Sequence, residues 1–251
     1  HGKDDLYILK IPAMELNKIE LKGYRILFPS YPSWSSDGQK IALSQDRNNT
    51  GVLTIISIKD NTVKELDNIN LDCDYISWSP NGEYIAFLGR ATTSDSSDYK
   101  LYVYSINDKK HKVISDISAG PYRPTWSPES SRIIFSSADN NIFIIDINGN
   151  VPKQVNAFGA APAWSPDGRF FVYRAKYSVY LYDLQSKTEK QLILNLGFND
   201  IREFAWSPDG KFILFKKLTE GYSPLEAISI DGRSSFKLKE LGNLKGFSWK
   251  Y

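Results

Sequence analysis

Ala163-Trp164-Ser165-Pro166-Asp167-Gly168, followed at once by the apolar run Phe170-Phe171-Val172-Tyr173, is one of several near-copies of the same phrase in this chain. The others are Ser33-Trp34-Ser35-Ser36-Asp37-Gly38, Ser77-Trp78-Ser79-Pro80-Asn81-Gly82, Thr125-Trp126-Ser127-Pro128-Glu129-Ser130 and Ala205-Trp206-Ser207-Pro208-Asp209-Gly210. A last fragment, Ser248-Trp249, stops at Tyr251. The tryptophans thus stand at 34, 78, 126, 164, 206 and 249, separated by 44, 48, 38, 42 and 43 residues. Self-similarity at such a period marks a repeat architecture and takes precedence over any local reading.

Each copy has the same physical plan. A short β segment ends at the tryptophan. Ser-Pro-Asp-Gly then makes a tight turn: proline presets φ, aspartate bonds nearby backbone and glycine accepts a positive φ. The Glu129-Ser130 copy lacks the Asp-Gly pair, so a different turn type is expected there. A second strand follows at fixed distance: Ile41-Ala42-Leu43, Ile85-Ala86-Phe87, Ile133-Ile134-Phe135, Phe171-Val172-Tyr173 and Ile213-Leu214-Phe215. After a variable connection comes a third strand, for example Leu101-Tyr102-Val103-Tyr104 or Ile142-Phe143-Ile144-Ile145, and a polar turn such as Asp231-Gly232-Arg233 leads to a short fourth. Short β-branched and aromatic runs bounded by turn residues read as strands, and no segment sustains a helical period.

A four-stranded unit recurring about every 43 residues is a β-propeller blade. The expected fold is therefore all-β: a six-bladed propeller forming a single domain over residues 1–251. Five blades are centred on Trp34, Trp78, Trp126, Trp164 and Trp206. One tryptophan per unit suits packing between successive sheets. Residues 5–11 and 17–21 read as third and fourth strands, and 247–249 as a first strand. The ends are expected to share one closing blade, 4–21 with 246–251, which would hide the edge strands. Only five second strands can be counted, so that blade is expected to have three strands, or the natural chain to continue past one end.

Composition agrees with this and removes several classes. The 251 residues carry 31 Lys+Arg against 29 Asp+Glu, one Cys, two His and 14% aromatic residues. One cysteine excludes an internal disulfide and zinc sites built on several cysteines. A net charge of +2 does not argue for nucleic acid. No stretch approaches the roughly 18 apolar residues of a membrane span. No signal peptide opens the chain; His1-Gly2 reads as a processed end or tag remnant, with a leader removed earlier.

The Trp-Ser-Pro-Asp-Gly turn followed by an Ile-Ala-Phe-like strand resembles the WD40-like repeat of TolB-type six-bladed propellers. That resemblance covers nearly the whole chain and implies the propeller fold and an extracytoplasmic location in the periplasm, envelope or outside the cell. The same repeat occurs in propeller domains of peptidases and in oligogalacturonate lyases. The peptidases need a Gly-x-Ser-x-Gly elbow, which is absent here. The lyases hold a metal with several histidines, which His1 and His111 cannot supply. No cofactor and no metal are expected.

Function is then sought on the loops joining second to third and fourth to next first strands, which share one end of the ring. Three or four residues before each tryptophan the chain enters near the axis. Those positions bring Tyr31, Asp74, Tyr75, Tyr122, Arg123, Arg202 and Glu203; second-strand ends add Arg90 and Arg174. Tyrosine and arginine are favoured interface anchors, because they cover area and also hydrogen-bond. The residues favour a non-catalytic module docking a protein or peptide at this rim. Two alternatives stay open: an enzyme acting on a saccharide or peptide through Asp74 and Glu203 as a carboxylate pair, and a propeller gating a separate hydrolase. Cys73 is expected to be structural or at the surface.

Overall fold

The computed structural model describes residues 6–10, 15–19, 25–26, 32–48, 50–66, 69–92, 98–149, 151–193, 201, 203–216 and 225–237. Among them are 23 strands and no helix. An N-terminal hairpin pairs β1 (Leu6–Lys10) with β2 (Glu15–Ile19). Blade 1 contains β3 (Arg25–Ile26), β4 (Ser33–Trp34), β5 (Lys40–Arg47), β6 (Thr50–Ser57) and β7 (Val63–Glu65). Blade 2 contains β8 (Leu71–Trp78), β9 (Tyr84–Ala91), β10 (Tyr99–Ser105) and β11 (Lys110–Ala119). Blade 3 contains β12 (Thr125–Trp126), β13 (Arg132–Ser136), β14 (Asn141–Asp146) and β15 (Lys153–Phe158). Blade 4 contains β16 (Ala160–Trp164), β17 (Phe170–Ala175), β18 (Ser178–Asp183) and β19 (Thr188–Ile193). Blade 5 contains β20 (Phe204–Trp206), β21 (Phe212–Lys216), β22 (Leu225–Ser229) and β23 (Ser235–Lys237).

Every blade is an antiparallel meander in chain order. In blade 1 the first strand is split: β3 and β4 pair with the two ends of the same strand, β5. Five complete blades are described where six were expected. The β1–β2 hairpin forms a two-stranded sheet of its own that packs on blade 1, and β2 starts at Glu15, two residues earlier than the sequence suggested. The expected closing strand at 246–251, with Trp249, lies outside the described residues.

The turn after each tryptophan is held by its own side chains. In the Ser165 copy, the backbone N–H of Phe170 donates to Ser165 Oγ (2.9 Å), Ser165 Oγ donates to Asp167 (2.5 Å), and the N–H of Arg169 donates to the same carboxylate (3.0 Å). The Ser35, Ser79 and Ser207 copies repeat this pattern, with Asn81 replacing the aspartate in one. The same module closes β22 to β23 through Ser229 and Asp231. The expectation of a different turn at Glu129-Ser130 is corrected. Ser130 has φ 60°, beside 64–77° for the glycines at the other four copies, and its N–H bonds Ser127 O as theirs do. A serine tolerates this left-handed position at an energetic cost. Its hydroxyl here accepts the N–H of Asn81 from the turn of blade 2 (3.0 Å).

The cores lie between blades. Strand alternation sends neighbouring residues to opposite faces. On β9, Ile85 and Phe87 pack with Trp78 against blade 1, while Ala86 and Leu88 pack with Trp126 against blade 3. On β13, Ile133 and Phe135 join Trp126, and Ile134 joins Trp164. On β17, Phe171 and Tyr173 join Trp164, and Val172 joins Trp206. Trp34 is partly buried among Leu6, Ile19, Ile41 and Leu43, the core between hairpin and blade 1. The expectation of one tryptophan packed between each pair of sheets therefore holds for all five described.

Indole N–H groups add stitches between blades. Trp126 Nε1 donates to Ser77 O (3.0 Å) and Trp206 Nε1 to Ala163 O (3.0 Å), each carbonyl belonging to the preceding blade. Trp164 Nε1 is buried without a partner, and the Arg132 guanidinium lies over its ring, 5.0 Å from the centroid. Removing a made buried hydrogen bond is worse than removing an orphaned donor. Trp206→Phe is therefore expected to be about 1–2 kcal/mol more destabilising than Trp164→Phe. Urea unfolding followed by far-ultraviolet circular dichroism measures the difference, and equal losses would contradict the assignment.

Candidate functional site

Antiparallel connectivity puts the Ser-Pro-Asp-Gly turns at one end of the strands and the long connections at the other. At that second end the proposed rim residues fall into three groups. Tyr31 and Arg202 lie outside the described residues.

The first group is built on blade 2. Asp72 and Arg90 stand directly opposite each other in the β8–β9 ladder. Arg90 Nε donates to Asp72 Oδ2 (2.7 Å), and Nη2 lies 2.6 Å from the same oxygen. Asp72 Oδ1 accepts the N–H of Gly51 from blade 1 (2.5 Å). A Cβ at Gly51 would sit 2.3 Å from Cys73 O and 2.6 Å from Ser44 Oγ, so only glycine lets the two blades approach here. Arg90 also covers the Tyr99 ring at 5.2 Å, and its charge is held more firmly by the Asp72 carboxylate. Tyr99 Oη donates to Asp74 Oδ2 (2.7 Å).

Asp74 is 4% exposed, and its Oδ1 has no hydrogen-bond partner. Burial is the main cause that pushes its pKa from 3.8 up to about 6; nearby Asp72 adds to this, while the Tyr99 hydroxyl and Arg90 oppose it. Beside it, Tyr75 takes φ 53° where the β8–β9 register shifts, and its ring meets Tyr99 edge-on at 5.9 Å. This is a β-bulge, a device that re-aims side chains at strand ends. Cys73 between the two aspartates is fully buried, which settles its structural reading; burial raises its thiol pKa far out of the reactive range.

The second group crosses the axis. Arg123, from the loop before β12, donates through Nε to Ile76 O of blade 2 (2.8 Å) and through Nη2 to Pro32 O of blade 1 (2.5 Å). Its Nη1 stands 3.8 Å from Glu203 Oε2 at the start of blade 5, and the two side chains are only 13% and 5% exposed. The third group joins blades 3 and 4: Arg174 of β17 donates to Tyr122 Oη and stacks over its ring at 5.1 Å.

The structure thus assembles Asp74, Tyr75 and Arg90 in one cluster, Arg123 with Glu203 in another, and Tyr122 with Arg174 in a third. Asp74 and Glu203 are held by different partners, a phenol and a guanidinium. Asp72, Gly51 and Tyr99 were not singled out from the sequence. The alternation Asp72-Cys73-Asp74 inside an apolar strand was the available signal, since two carboxylates on a buried strand demand partners. Among the described residues no three His, Cys, Asp or Glu side chains gather as a metal would require. A cavity of about 430 Å³ lies at the turn end, walled by Pro166, Phe170, Trp206 and Pro208. Those are the repeat's own turn residues, so it is a seam between blades 4 and 5 and not part of the rim.

Two outcomes test this geometry. Asp74 binds its proton more tightly in the folded protein than unfolded, so its contribution favours folding below pH 3.8 and turns against folding as pH rises to about 6. Two pKa units correspond to about 3 kcal/mol. Asp74→Asn should therefore gain stability relative to wild type progressively between pH 4 and 7 in urea unfolding, and a constant difference would refute the burial effect. Arg123→Met should lower stability by about 3 kcal/mol, because it strips ties to two blade carbonyls and a buried carboxylate; adding Glu203→Gln should cost less than the sum of the single changes.

With this geometry in view, comparison with known proteins is informative. Residues 2–251 match the family described as TolB beta propeller domain. The Tol-Pal system protein TolB of Francisella tularensis subsp. mediasiatica is 25% identical over 226 residues, covering 84% of this chain and 51% of that protein. The chain spans about half the length of the TolB relatives it matches. Among solved structures, TolB from Acinetobacter baumannii superposes with a TM-score of 0.76 at 19% identity, over 94% of this chain and 60% of that one. A putative TolB from Agrobacterium tumefaciens gives 0.78 at 17% identity, over 98% and 93%. At these identities the structures speak for the fold alone. The family match extends over almost every residue and over all five blades described above, and the chain belongs to the TolB beta propeller domain family, PD40.

Proposed function

We propose that this propeller is a docking scaffold for a protein or peptide, engaged at the rim that carries Asp74, Tyr75, Arg90, Tyr122 and Arg174, with Arg123 and Glu203 behind it. The observation that carries this reading is the doubled arginine-on-tyrosine arrangement, Arg90 over Tyr99 and Arg174 over Tyr122, with both arginines on strands and both pairs at the same end of the blades. Such pairs present flat, amphipathic area at low entropic cost, as binding hot spots require. Arg90 has 38% of its side chain exposed. Several curated relatives, from Francisella tularensis, are proteins of the Tol-Pal system, which supports a role inside a protein assembly of that kind, outside the cytoplasm. The rim is a contact surface and Arg123 its internal brace, so loss of Arg123 acts through ring geometry.

The test places a photo-cross-linking residue at exposed Pro121, beside Tyr122, and for comparison at Val151, in the β14–β15 turn at the other end of blade 3. With envelope extract, position 121 should yield a discrete cross-linked polypeptide and position 151 should not. Combining Arg90→Ala with Arg174→Ala should reduce that yield about tenfold, in line with the loss of one to two hot spots. Equal yields from both positions, or a yield untouched by the double change, would overturn the reading.

A further inference from the structure

Large exposed apolar side chains among the described residues are Tyr7, Val113, Val151, Phe158, Tyr177 and Phe236. Most are scattered, as lone apolar residues on a surface ordinarily are. Val113 follows Lys110 and Lys112 on the outer strand of blade 2, Val151 sits in a turn, Tyr7 is on the hairpin, and Phe236 leans edge-on against Phe212 at 5.5 Å. Phe158 and Tyr177 differ. They are 62% and 51% exposed and both stand at the rim end, Phe158 where the chain leaves blade 3 and Tyr177 on the β17–β18 turn of blade 4.

Local geometry places Phe158 at the seam between blades 3 and 4. Phe158 pairs with Asn141, and the next N–H, of Gly159, donates to Asn140 O in the β13–β14 turn (2.8 Å). A Cβ at Gly159 would lie 2.3 Å from Arg174 O and 2.5 Å from the Tyr173 ring, so blade 4 is pressed against this point. Tyr177 lies in the turn joining β17 to β18, three residues beyond Arg174. Asn140 and Lys176, at φ 60° and 52°, tighten the turns on the two sides. The patch runs inward to Tyr122, stacked under Arg174. Its charged members are Arg174, which already donates to Tyr122, and exposed Lys176 on the blade 4 side; exposed Asp139 stands in the β13–β14 turn, and Glu189 accepts the Tyr173 hydroxyl.

We propose that the rim end of the seam between blades 3 and 4 binds a peptide segment bearing an aromatic or aliphatic side chain next to carboxylates. The apolar residue covers Phe158 and Tyr177, and the carboxylates meet Lys176 and Arg174. This rests on the docking reading and narrows it, by naming the partner's chemistry and the side of the ring it occupies. An apolar pair beside two cations selects for both features together: area supplies affinity, and charge supplies orientation and rejects basic segments.

The probe is a fluorescein-labelled twelve-residue peptide in which Trp and Asp alternate between Gly spacers, titrated with the purified protein and read by anisotropy. Two control peptides replace Asp by Lys, or Trp by Ser. Tight binding of the first alone, weakened at least tenfold by Phe158→Ser with Tyr177→Ser and at least threefold by Lys176→Glu, supports the proposal. Both sites are exposed, so circular dichroism should remain that of wild type. Equal binding of the Lys peptide, equal binding of the Ser peptide, or unchanged binding by the double variant overturns it. So does sedimentation showing a dimer that the double variant abolishes, because a second copy would then own the patch. If peptide binding fails while the position-121 cross-link persists, this patch falls and the docking reading stands; if both fail, both fall.

Discussion

A four-stranded blade of this protein is apolar on both faces, so it cannot be stable alone. Everything else in the structure follows from that constraint. Each blade must have a neighbour on either side, and the arrangement that gives every blade two neighbours is a ring. The alternation on the second strands shows how tightly this is drawn: Ile85 and Phe87 belong to one interface and Ala86 and Leu88 to the next. A slip of one residue in β9 would exchange the two sets and spoil both cores at once. The tryptophan at the end of each described first strand belongs to an interface core, and the turn that follows is fixed by its own side chains, chiefly the serine after the tryptophan.

The rim depends on that rigidity. Asp72 reaches Gly51 of blade 1 while pairing with Arg90 of its own blade, so the guanidinium over Tyr99 is positioned by two blades together. Arg174 and Tyr122 likewise come from successive blades. The Arg174–Tyr122 pair spans a seam and the Arg90–Tyr99 pair is tied across one through Asp72, so the surface offered to a partner is set by how blades pack and not by any one loop. Asp74 marks the limit of this arrangement: its carboxylate is buried with one oxygen unpartnered, a local destabilisation that the surrounding packing outweighs.

Much of this could be read in advance, and the boundary is physical. Strands, turns and interblade tryptophans were legible because the repeat states them five times and each statement has a local cause. Ser130 misled for the same reason: serine does not advertise a left-handed backbone, yet the neighbouring turn of blade 2 rewards it with a hydrogen bond. The bulge at Tyr75 was hidden because a tyrosine in a strand normally signals regular pairing. Arg123 was singled out by its distance from Trp126, but its partners sit on blades 1, 2 and 5, which are far apart in the chain and meet only once the blades pack. Phe158 and Tyr177 escaped notice because an aromatic residue at a strand end looks like core until its exposure is known.

Arg123 also gives the ring a property that no pair of adjacent blades has. Contacts between neighbours resemble staves in a cask, each passing load only to the next. Arg123 is a spoke: it starts before blade 3 and grips the backbone of blades 1 and 2 while standing against a carboxylate of blade 5. A push on one side of the rim is thereby felt on the far side without passing around the circumference. Replacing that one side chain would loosen blades 1, 2 and 5 from one another at a single stroke.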